Sequence, residues 1–340
     1  MVHRPIFDGH LDLAYLAEVG RDMHAEPDDC RGTLLPAAVT LPSLKSANVR
    51  GCLATIYTAP EDTNGDPGSH LGPSGHAYPA GDADAAHRCG LRQLKLYEAW
   101  RDAGVVSFLD DDRDAPLRIG VLMEGADPIR TPDEVAWWAE RGVVAIGMTW
   151  ARGTRYAGGN ASGGGLTDAG RDLVRAIDEA GLWHDASHLS NASLDELLER
   201  STGRIFASHS NARALLDDNE RHLTDDAIRA IAGRGGIIGV NLYAGFLDPA
   251  FRSGHTRPPL ARAADHADHL ASIAGRDRVA LGTDLDGGFD ASCLPEGVEH
   301  PSDVHTLFGL LADRGWSEAQ LAGFAGGNWA ALLGVAWPPA

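Results

Sequence analysis

The sequence predicts a single (β/α)8 TIM barrel over residues 1–340, and two observations indicate this fold class. Short apolar runs alternate with longer amphipathic segments, which is typical of parallel strands joined by right-handed helical crossovers. Several of these runs also end in a histidine or a carboxylate, and a barrel of this kind places its active site at the C-terminal ends of its strands. Because there are eight such runs, a closed barrel is favoured over an open doubly wound sheet.

Eight apolar runs have the length and composition of buried strands. They are predicted as strands at 4–9, 51–58, 118–124, 143–149, 182–187, 204–208, 236–242 and 279–284. The amphipathic segments between them are predicted as helices at 82–104, 131–141, 167–180, 190–201, 224–234 and 260–274. Thr167 and Thr224 stand where N-cap residues belong. Extra C-terminal helices are expected over 303–335, after the eighth strand.

Two segments fit no strand or helix and are predicted to be long active-site loops. Residues 59–81, after the second strand, are rich in Gly, Pro, Ser and Asp, and residues 151–166, after the fourth strand, contain six glycines. Loops in these positions lie over the C-terminal face of a barrel, where long loops usually serve function. The glycine-rich segment lacks the GxxxxGK[ST] pattern, which excludes a phosphate-binding P-loop.

Composition narrows the class of partner. The chain carries 48 acidic and 29 basic residues, a formal net charge of -19, which argues against nucleic acid or an anionic membrane surface as a partner. Its four cysteines are widely spaced without a CxxC pair, so free thiols in a reducing compartment are expected. No apolar run approaches the roughly 20 residues of a membrane span, and the N-terminus lacks the pattern of a signal peptide. We therefore expect a cytoplasmic protein that acts on a small molecule.

His10 and Asp12 follow the first predicted strand at positions i and i+2. Side chains alternate along a strand, so these two point to the same side and could hold one metal ion. An HxD pair alone is a weak signal, and its position at a strand end is what strengthens it. Glu124 ends the third strand in VLMEGAD. A carboxylate that leaves so apolar a run is costly unless it is paired, solvated or bound to a metal.

Histidines and aspartates also end three later strands. His188 and His209 follow the fifth and sixth strands and could supply neutral nitrogen ligands to a second metal, although a capping or core histidine is the alternative for each. Asp284 ends the eighth strand in GTDLDGG, where it could be a further ligand or a general acid and base beside the metals. Asp286 is the rival for that role, and a place in a turn is its structural alternative.

The ordered set of these motifs resembles that of the membrane (renal) dipeptidase family, peptidase family M19, of the amidohydrolase superfamily. The similarity comprises DGHLD near the start, MEGAD, DASHLS, a second SH pair 21 residues after the first, and HADHLASIAGRDRVALGTDLDGG near the end. It extends from about residue 5 to residue 330. Each motif is modest alone, whereas the set in this order is highly specific.

The resemblance implies a binuclear zinc barrel that hydrolyses dipeptides. Two divalent metal ions, with zinc as the expected element, would share the hydroxide that attacks the peptide carbonyl. Carried over by position, His10 and Asp12 would bind one ion and His188 and His209 the other. Glu124 would bridge the two ions. A homodimer is also expected, from the family and from the general frequency of two-fold assemblies.

The resemblance also assigns residues around the metals. Asp284 matches an acid that transfers the proton, and Arg221 matches an arginine that binds the C-terminal carboxylate of the substrate, a task suited to a planar guanidinium. Trp150 departs from the pattern, because many members have LTH where this chain has MTW. It would contact substrate in place of a histidine. The asparagine expected shortly afterwards is replaced by Arg155 or a neighbour.

Two other functions stay open at this stage. The nearer is an amidohydrolase of the same scaffold that acts on another amide, such as an N-acyl amino acid, a lactam or a modified peptide, and Trp150 is the residue that favours it. The farther is a non-catalytic barrel that binds metal only. A structural zinc has four closed ligands and no spare acid, so the presence of Asp284 argues against this second alternative.

Overall fold

The computed structural model describes residues 4–61, 77–112 and 115–338. Most of the predicted loop at 59–81 therefore lies outside the described residues. All four cysteines are described, and each is buried and free. Within the described ranges, no helix is both long enough and apolar enough to cross a membrane.

Eight parallel strands in the described part of the chain each overlap one predicted run. Their bounds are β1 Ile6–Leu11, β2 Val49–Tyr57, β3 Leu117–Glu124, β4 Val143–Gly147, β5 Trp183–Asp185, β6 Arg204–Phe206, β7 Ile238–Val240 and β8 Val279–Leu281. Strands β1 to β6 pair in chain order, and β7 pairs with β8. The apolar runs of the sequence thus located these eight strands, with bounds that differ by a few residues.

Contacts between strands far apart in the chain curl this sheet. Ala207, directly after β6, forms a parallel bridge with Ile238 of β7. The backbone N–H of Asp284, beyond β8, donates to the carbonyl of His10 in β1 at 3.3 Å. Asp8 of β1 accepts the backbone N–H of Thr283 at 2.9 Å. The parallel sheet therefore bends round until β8 lies beside β1, which is a TIM-barrel-like α/β fold.

Three short strands are additional to the predicted set. Val106–Phe108 pairs in parallel with β3, and Ala59–Pro60 pairs with Ala77–Tyr78. They lie outside the eight apolar runs that were predicted as strands.

Helices fill the segments between the strands. Their bounds are α1 Leu13–Glu18, α2 Leu41–Ser46, α3 Ala83–Asp102, α4 Val135–Ala139, α5 Asp168–Glu179, α6 Asn191–Arg200, α7 Asp225–Gly233, α8 Ala261–Ala274, α9 His305–Asp313, α10 Glu318–Ala322 and α11 Asn328–Leu333. Thr167 accepts the backbone N–H of Gly170 at 3.0 Å and Thr224 that of Ala227 at 3.2 Å, so both predicted N-caps are confirmed. The predicted helix at 131–141 instead begins with the 3-10 turn Pro132–Glu134, and only α4 is α-helical.

A layer of apolar side chains fills the interior of the curled sheet. The layer draws one residue from, or directly beside, each strand: Phe7, Leu53, Leu122, Ala145, Trp183, Phe206, Ile237 and Ala280, with Trp329 of α11 packed against them. Trp329 also donates its indole N–H to the carbonyl of Leu281 at 2.7 Å. Because this layer is packed, the strand ends above it form a rigid platform for polar side chains.

Candidate metal centre and active site

The six predicted metal-site and proton-transfer residues come together at the C-terminal ends of the strands. They are His10, Asp12, Glu124, His188, His209 and Asp284, and none is more than 8% exposed. Three overlapping groups of possible ligand atoms each lie within 4.8 Å of one another: His10 with Asp12 and Glu124, Glu124 with His188 and His209, and His10 with His209 and Asp284. Residues up to 274 positions apart thus form one cluster.

Glu124 lies at the centre of this cluster. Its Oε2 atom is 3.4 Å from Nε2 of His10. Its Oε1 atom is 3.1 Å from Nε2 of His188 and 3.7 Å from Nε2 of His209. The two carboxylate oxygens thus face different histidines, which is the arrangement that a ligand between two metal ions requires.

The donor set fits divalent metal ions. Nε2 of His188 and Nε2 of His209 are 3.0 Å apart, and both point into the cluster. The opposite ring nitrogens are already engaged, because Nδ1 of His188 lies 3.2 Å from Oδ1 of Asn160 and Nδ1 of His209 lies 2.6 Å from Oγ of Ser208. Metal-binding histidines characteristically present one nitrogen to the ion while the other is held by a hydrogen bond. Imidazole nitrogens and carboxylates together suit zinc and related ions.

Electrostatics in the cluster favour a cation. Burial, reinforced by Asp12 and Glu124, raises the pKa of Asp284 to about 8. Burial opposes protonation of His10, but the carboxylates of Glu124, Asp12 and Asp284 outweigh it and raise the pKa of His10 to about 10. Burial lowers the pKa of His188 to about 4, so this imidazole stays neutral at pH 7, the form that binds metals. Three buried carboxylates so close together call for positive charge between them.

Asp284 and Asp286 point to different places although they are two residues apart. Oδ2 of Asp284 accepts a hydrogen bond from the amide of Asn241 at 3.0 Å, inside the cluster. Oδ2 of Asp286 accepts the backbone N–H groups of Ala38 at 2.9 Å and Val39 at 2.8 Å and pairs with Arg21. The structure therefore brings Asp284 to the cluster of candidate ligands and places Asp286 in a structural ion pair outside it.

Replacing Asp286 with asparagine is expected to lower the free energy of unfolding by about 3–5 kcal/mol, the usual cost of removing one partner of a buried ion pair. The Arg21 and Asp286 side chains are 1% and 0% exposed, so the variant leaves the Arg21 guanidinium buried without its counter-ion. Urea unfolding of the purified variant and wild type measures this difference. A change below about 1 kcal/mol, the value typical of a surface pair, would contradict the assignment.

Arg221 is held rigidly on the wall of a cavity beside the cluster. The cavity has a volume of about 360 Å³ and is also lined by Asp12, Glu124 and Asp284. Arg221 donates from Nη2 to the carbonyl of His209 at 2.7 Å and from Nη1 to Oγ of Ser210 at 3.0 Å. Its guanidinium carbon lies 4.9 Å from the centre of the Phe246 ring. A cation fixed in this way is suited to binding a substrate carboxylate without a large loss of side-chain entropy.

Trp150, the residue predicted to contact substrate, lies on the cavity wall. Its ring packs edge-on against Tyr57, with the ring centres 5.5 Å apart, and lies 6.1 Å from the ring of His188. Arg155 does not line this cavity and instead donates from Nε to Oδ1 of Asp127 at 3.1 Å. Asn160, five residues further along, lines the cavity and contacts His188.

The glycine-rich segment 151–166 brings Asn160 to this position. A Cβ atom on Gly159 would lie 2.4 Å from the carbonyl oxygens of both Trp150 and Ala151, so only glycine permits the chain to fold back so closely. The glycines were recognised in the sequence as a feature of this loop. The fold-back that selects Asn160 depends on contacts that a linear pattern does not show.

Two site residues have a backbone conformation that is unusual for side chains with a Cβ atom. The φ angles of His188 and Asp284 are 66° and 59°. Left-handed backbone costs free energy for non-glycine residues and is maintained where the surrounding structure requires it, often at functional sites. In both cases the turn directs a polar side chain from the end of a strand into the cluster.

Comparison with known proteins identifies the family. The model of the membrane dipeptidase family, peptidase family M19, matches residues 1–335. The chain belongs to this family. It is therefore a metal-dependent hydrolase, and the resemblance found in the sequence motifs is confirmed. The clustered histidines and carboxylates agree with the use of divalent metal by this family.

Two relatives are similar in sequence to this chain. A Klebsiella pneumoniae protein, named only as an uncharacterized protein in the pqqA 5' region, is 32% identical over 260 residues, which are 73% of this chain and 93% of that protein. Dipeptidase 3 of Macaca fascicularis is 32% identical over 164 residues, 48% of this chain, and the match spans 32% of that longer protein.

A solved structure shares the fold along the whole chain. The crystal structure of a metallopeptidase from Rhodobacter sphaeroides superposes with a TM-score of 0.81 and 24% identity, and covers 99% of this chain and 100% of that one. That crystal structure contains a phosphinate mimic of the dipeptide L-Ala-D-Ala. At this identity the likeness shows that the two chains have the same TIM-barrel-like fold.

Proposed function

We propose that this protein is a zinc-dependent dipeptidase with two metal ions per chain. The observation that carries the proposal is that six buried ligand and acid side chains meet beside one cavity whose wall also holds the fixed guanidinium of Arg221. A cavity of about 360 Å³ suits a dipeptide-sized substrate. The order in which the eight parallel strands pair supports a complete (β/α)8 barrel as the scaffold.

The ligands divide between two ions. His10 and Asp12 would hold one ion and His188 and His209 the other, with Glu124 between them. When bound, the ions supply a water of lowered pKa as the nucleophile and polarise the carbonyl of the scissile bond. The hydrogen bond from Thr55 to Asp12 and those at Nδ1 of His188 and His209 orient these ligands.

The remaining residues bind the substrate and move a proton. Asp284 takes the proton released at the nucleophile and returns it to the departing amine, and Asn241 holds its carboxylate at 3.0 Å. Arg221 binds the C-terminal carboxylate with its forked guanidinium. Because Arg221 donates a hydrogen bond to the carbonyl of His209, the guanidinium that binds the substrate carboxylate is fixed relative to a proposed metal ligand.

A second function is favoured by Trp150 alone. In its position many members of the family have a histidine, which can donate a hydrogen bond and also change protonation. An indole N–H donates one hydrogen bond and does not titrate. Hydrolysis of another amide, such as an N-acyl amino acid, a lactam or a modified peptide, is therefore the alternative proposal for the same metal centre.

Metal analysis combined with a dipeptide library tests the proposal. We expect two zinc ions per chain by elemental analysis and turnover of dipeptides, including those with a D-residue at the C-terminal position. The inclusion of D-residues is motivated by the L-Ala-D-Ala mimic bound to the Rhodobacter sphaeroides relative. Two bound ions without turnover of any dipeptide would favour the alternative amide substrates, and an absence of bound metal would contradict both proposals.

Location and assembly stay predictions. A cytoplasmic protein follows from the composition, and a homodimer follows from the family resemblance and the frequency of two-fold assemblies. Light scattering of the purified protein measures whether it is a dimer.

A further inference from the structure

Ser208 is a buried hydroxyl beneath the cluster that touches two of its histidines. It lies two residues after the end of β6 and is 0% exposed. Its Oγ atom lies 2.6 Å from Nδ1 of His209 and 3.2 Å from Nδ1 of His10. In the proposed division of the ligands these two histidines bind different ions, His10 with Asp12 and His209 with His188, although His10 and His209 also form one group with Asp284.

The direction of each hydrogen bond follows from Asp185. Oδ1 of Asp185 accepts the backbone N–H groups of Ser187 and Ser208, each at 2.9 Å. Oδ2 of Asp185 lies 2.5 Å from Oγ of Ser208. A carboxylate has no proton to donate, so the single hydroxyl hydrogen of Ser208 points to Asp185. The lone pairs of Ser208 then remain to accept hydrogen bonds from both imidazoles.

This arrangement decides where both imidazoles carry their hydrogens. If Ser208 accepts from Nδ1 of His10 and from Nδ1 of His209, each neutral ring has its hydrogen on Nδ1 and a lone pair on Nε2. The Nε2 atom of His10 lies 3.4 Å from Glu124, and that of His209 lies 3.0 Å from Nε2 of His188. Both lone pairs are thereby presented to the positions where metal ions are proposed to bind.

We propose that Ser208, oriented by Asp185, is a single positioning residue for both metal ions, so that its hydroxyl links the affinity of one ion site to that of the other. This inference rests on the proposed binuclear centre and goes beyond the ligands themselves. Ordinarily each metal-binding histidine has its own hydrogen-bond acceptor on the far side of the ring. Here one acceptor serves two ligands of different ions.

The backbone around Ser208 keeps it in place. A Cβ atom on Gly239 or Gly282 would lie 1.9 or 1.8 Å from the carbonyl oxygen of Ser208, which no side chain can tolerate. Glycines of β7 and of the segment after β8 therefore let neighbouring backbones close around this residue. A hydroxyl held on so confined a backbone has little freedom to reorient, as a positioning role requires.

Asn160 and Ser187 offer matched comparisons. Asn160 contacts the Nδ1 atom of His188 alone, at 3.2 Å, so it orients a ligand of one ion. Ser187 belongs to the same hydroxyl network as Ser208, with the two Oγ atoms 3.3 Å apart, and accepts the backbone N–H of His209, but it bonds to no imidazole ring among the described residues. Ser208 thus contacts two of the proposed metal-binding rings, Asn160 contacts one, and Ser187 contacts none of them.

Zinc titration of metal-stripped protein tests the inference, with a chromophoric chelator as competitor and wild type, Ser208→Ala, Asn160→Ala and Ser187→Ala as samples. We expect Ser208→Ala to weaken both binding events by about 10- to 100-fold, the usual effect of losing an outer hydrogen-bond partner. Asn160→Ala should weaken one event only, and Ser187→Ala should leave both close to wild type. Circular dichroism of each stripped protein establishes that it is folded.

The outcomes separate this inference from the proposed function. Wild type that binds two zinc ions together with Ser208→Ala that binds them equally well overturns the inference and leaves the dipeptidase proposal intact. Weakening of one event only by Ser208→Ala also overturns it. Wild type that binds no zinc overturns the proposed function and the inference together. Should Ser208→Ala not fold, Ser208→Cys retains the volume with a weak sulfur acceptor, and the same loss at both sites is expected.

Discussion

Replacing Glu124 with glutamine is expected to reduce kcat/KM by about 1,000-fold or more, and to lower zinc content below two ions per chain. The two oxygens of Glu124 face His10 on one side and His188 on the other, so an uncharged amide weakens both halves of the metal centre at once. Bound metal supplies several kcal/mol of transition-state stabilisation, and each 1.4 kcal/mol is about a tenfold change in rate. Steady-state kinetics and elemental analysis on the same samples measure the two effects.

Glu98→Gln is the matched control for this substitution. Glu98 lies on α3 and pairs with Arg141 at 2.6 Å, away from the cluster, so the same chemical change there should leave activity and zinc content unchanged. A Glu124→Gln variant that keeps two zinc ions and wild-type turnover would show that the metal ligands have been assigned wrongly.

Replacing Asp284 with asparagine is expected to lower kcat by about 100- to 10,000-fold, the range associated with losing a general acid or base. Zinc content should stay at two ions per chain, because the predicted ligands are all intact. The amide keeps the shape of the side chain and its contact with Asn241 but cannot carry the proton. Kinetics with the best dipeptide of the library, beside elemental analysis, provide the measurement.

Measuring zinc content separately from the rate distinguishes a proton-transfer role of Asp284 from a role as a metal ligand. Its carboxylate lies within 4.8 Å of ligand atoms of His10 and His209, so a role as a further ligand is the competing assignment. Loss of one zinc ion in Asp284→Asn would establish that alternative. The neighbouring Asp286→Asn variant should show the opposite behaviour, with reduced stability and retained turnover, because Asp286 lies in the ion pair with Arg21.

Local sequence patterns predicted most of the strands and helices and much of the site. The strands were found because a buried parallel strand is a short apolar run, which needs no knowledge of its partners. His10 and Glu124 were found because a polar residue at the end of such a run is unusual and lies at the active edge of a barrel. The strand Val106–Phe108, which pairs with β3 outside the eight predicted runs, was not predicted.

The residues that orient the ligands were the main omission. Ser208, Asp185 and Asn241 act through hydrogen bonds to side chains that lie 1 to 198 positions away in the chain. Ser and Asn have many structural uses, so neither has a spacing that indicates this role. Asn160 was missed for a related reason, since the fold-back of its glycine-rich loop placed it, rather than Arg155, beside His188.

The sequence by itself determined the family, the class of fold and the candidate set of metal-binding side chains, because these depend on residue type and on position along a strand. Tertiary structure alone decided which of two nearby aspartates enters the cluster and which hydroxyl holds two histidines. Asp286 is drawn away by Arg21, 265 residues earlier in the chain, whereas Asp284 turns inward to Asn241. Such choices rest on contacts between distant segments, which exist only once the sheet has curled and brought its strand ends together.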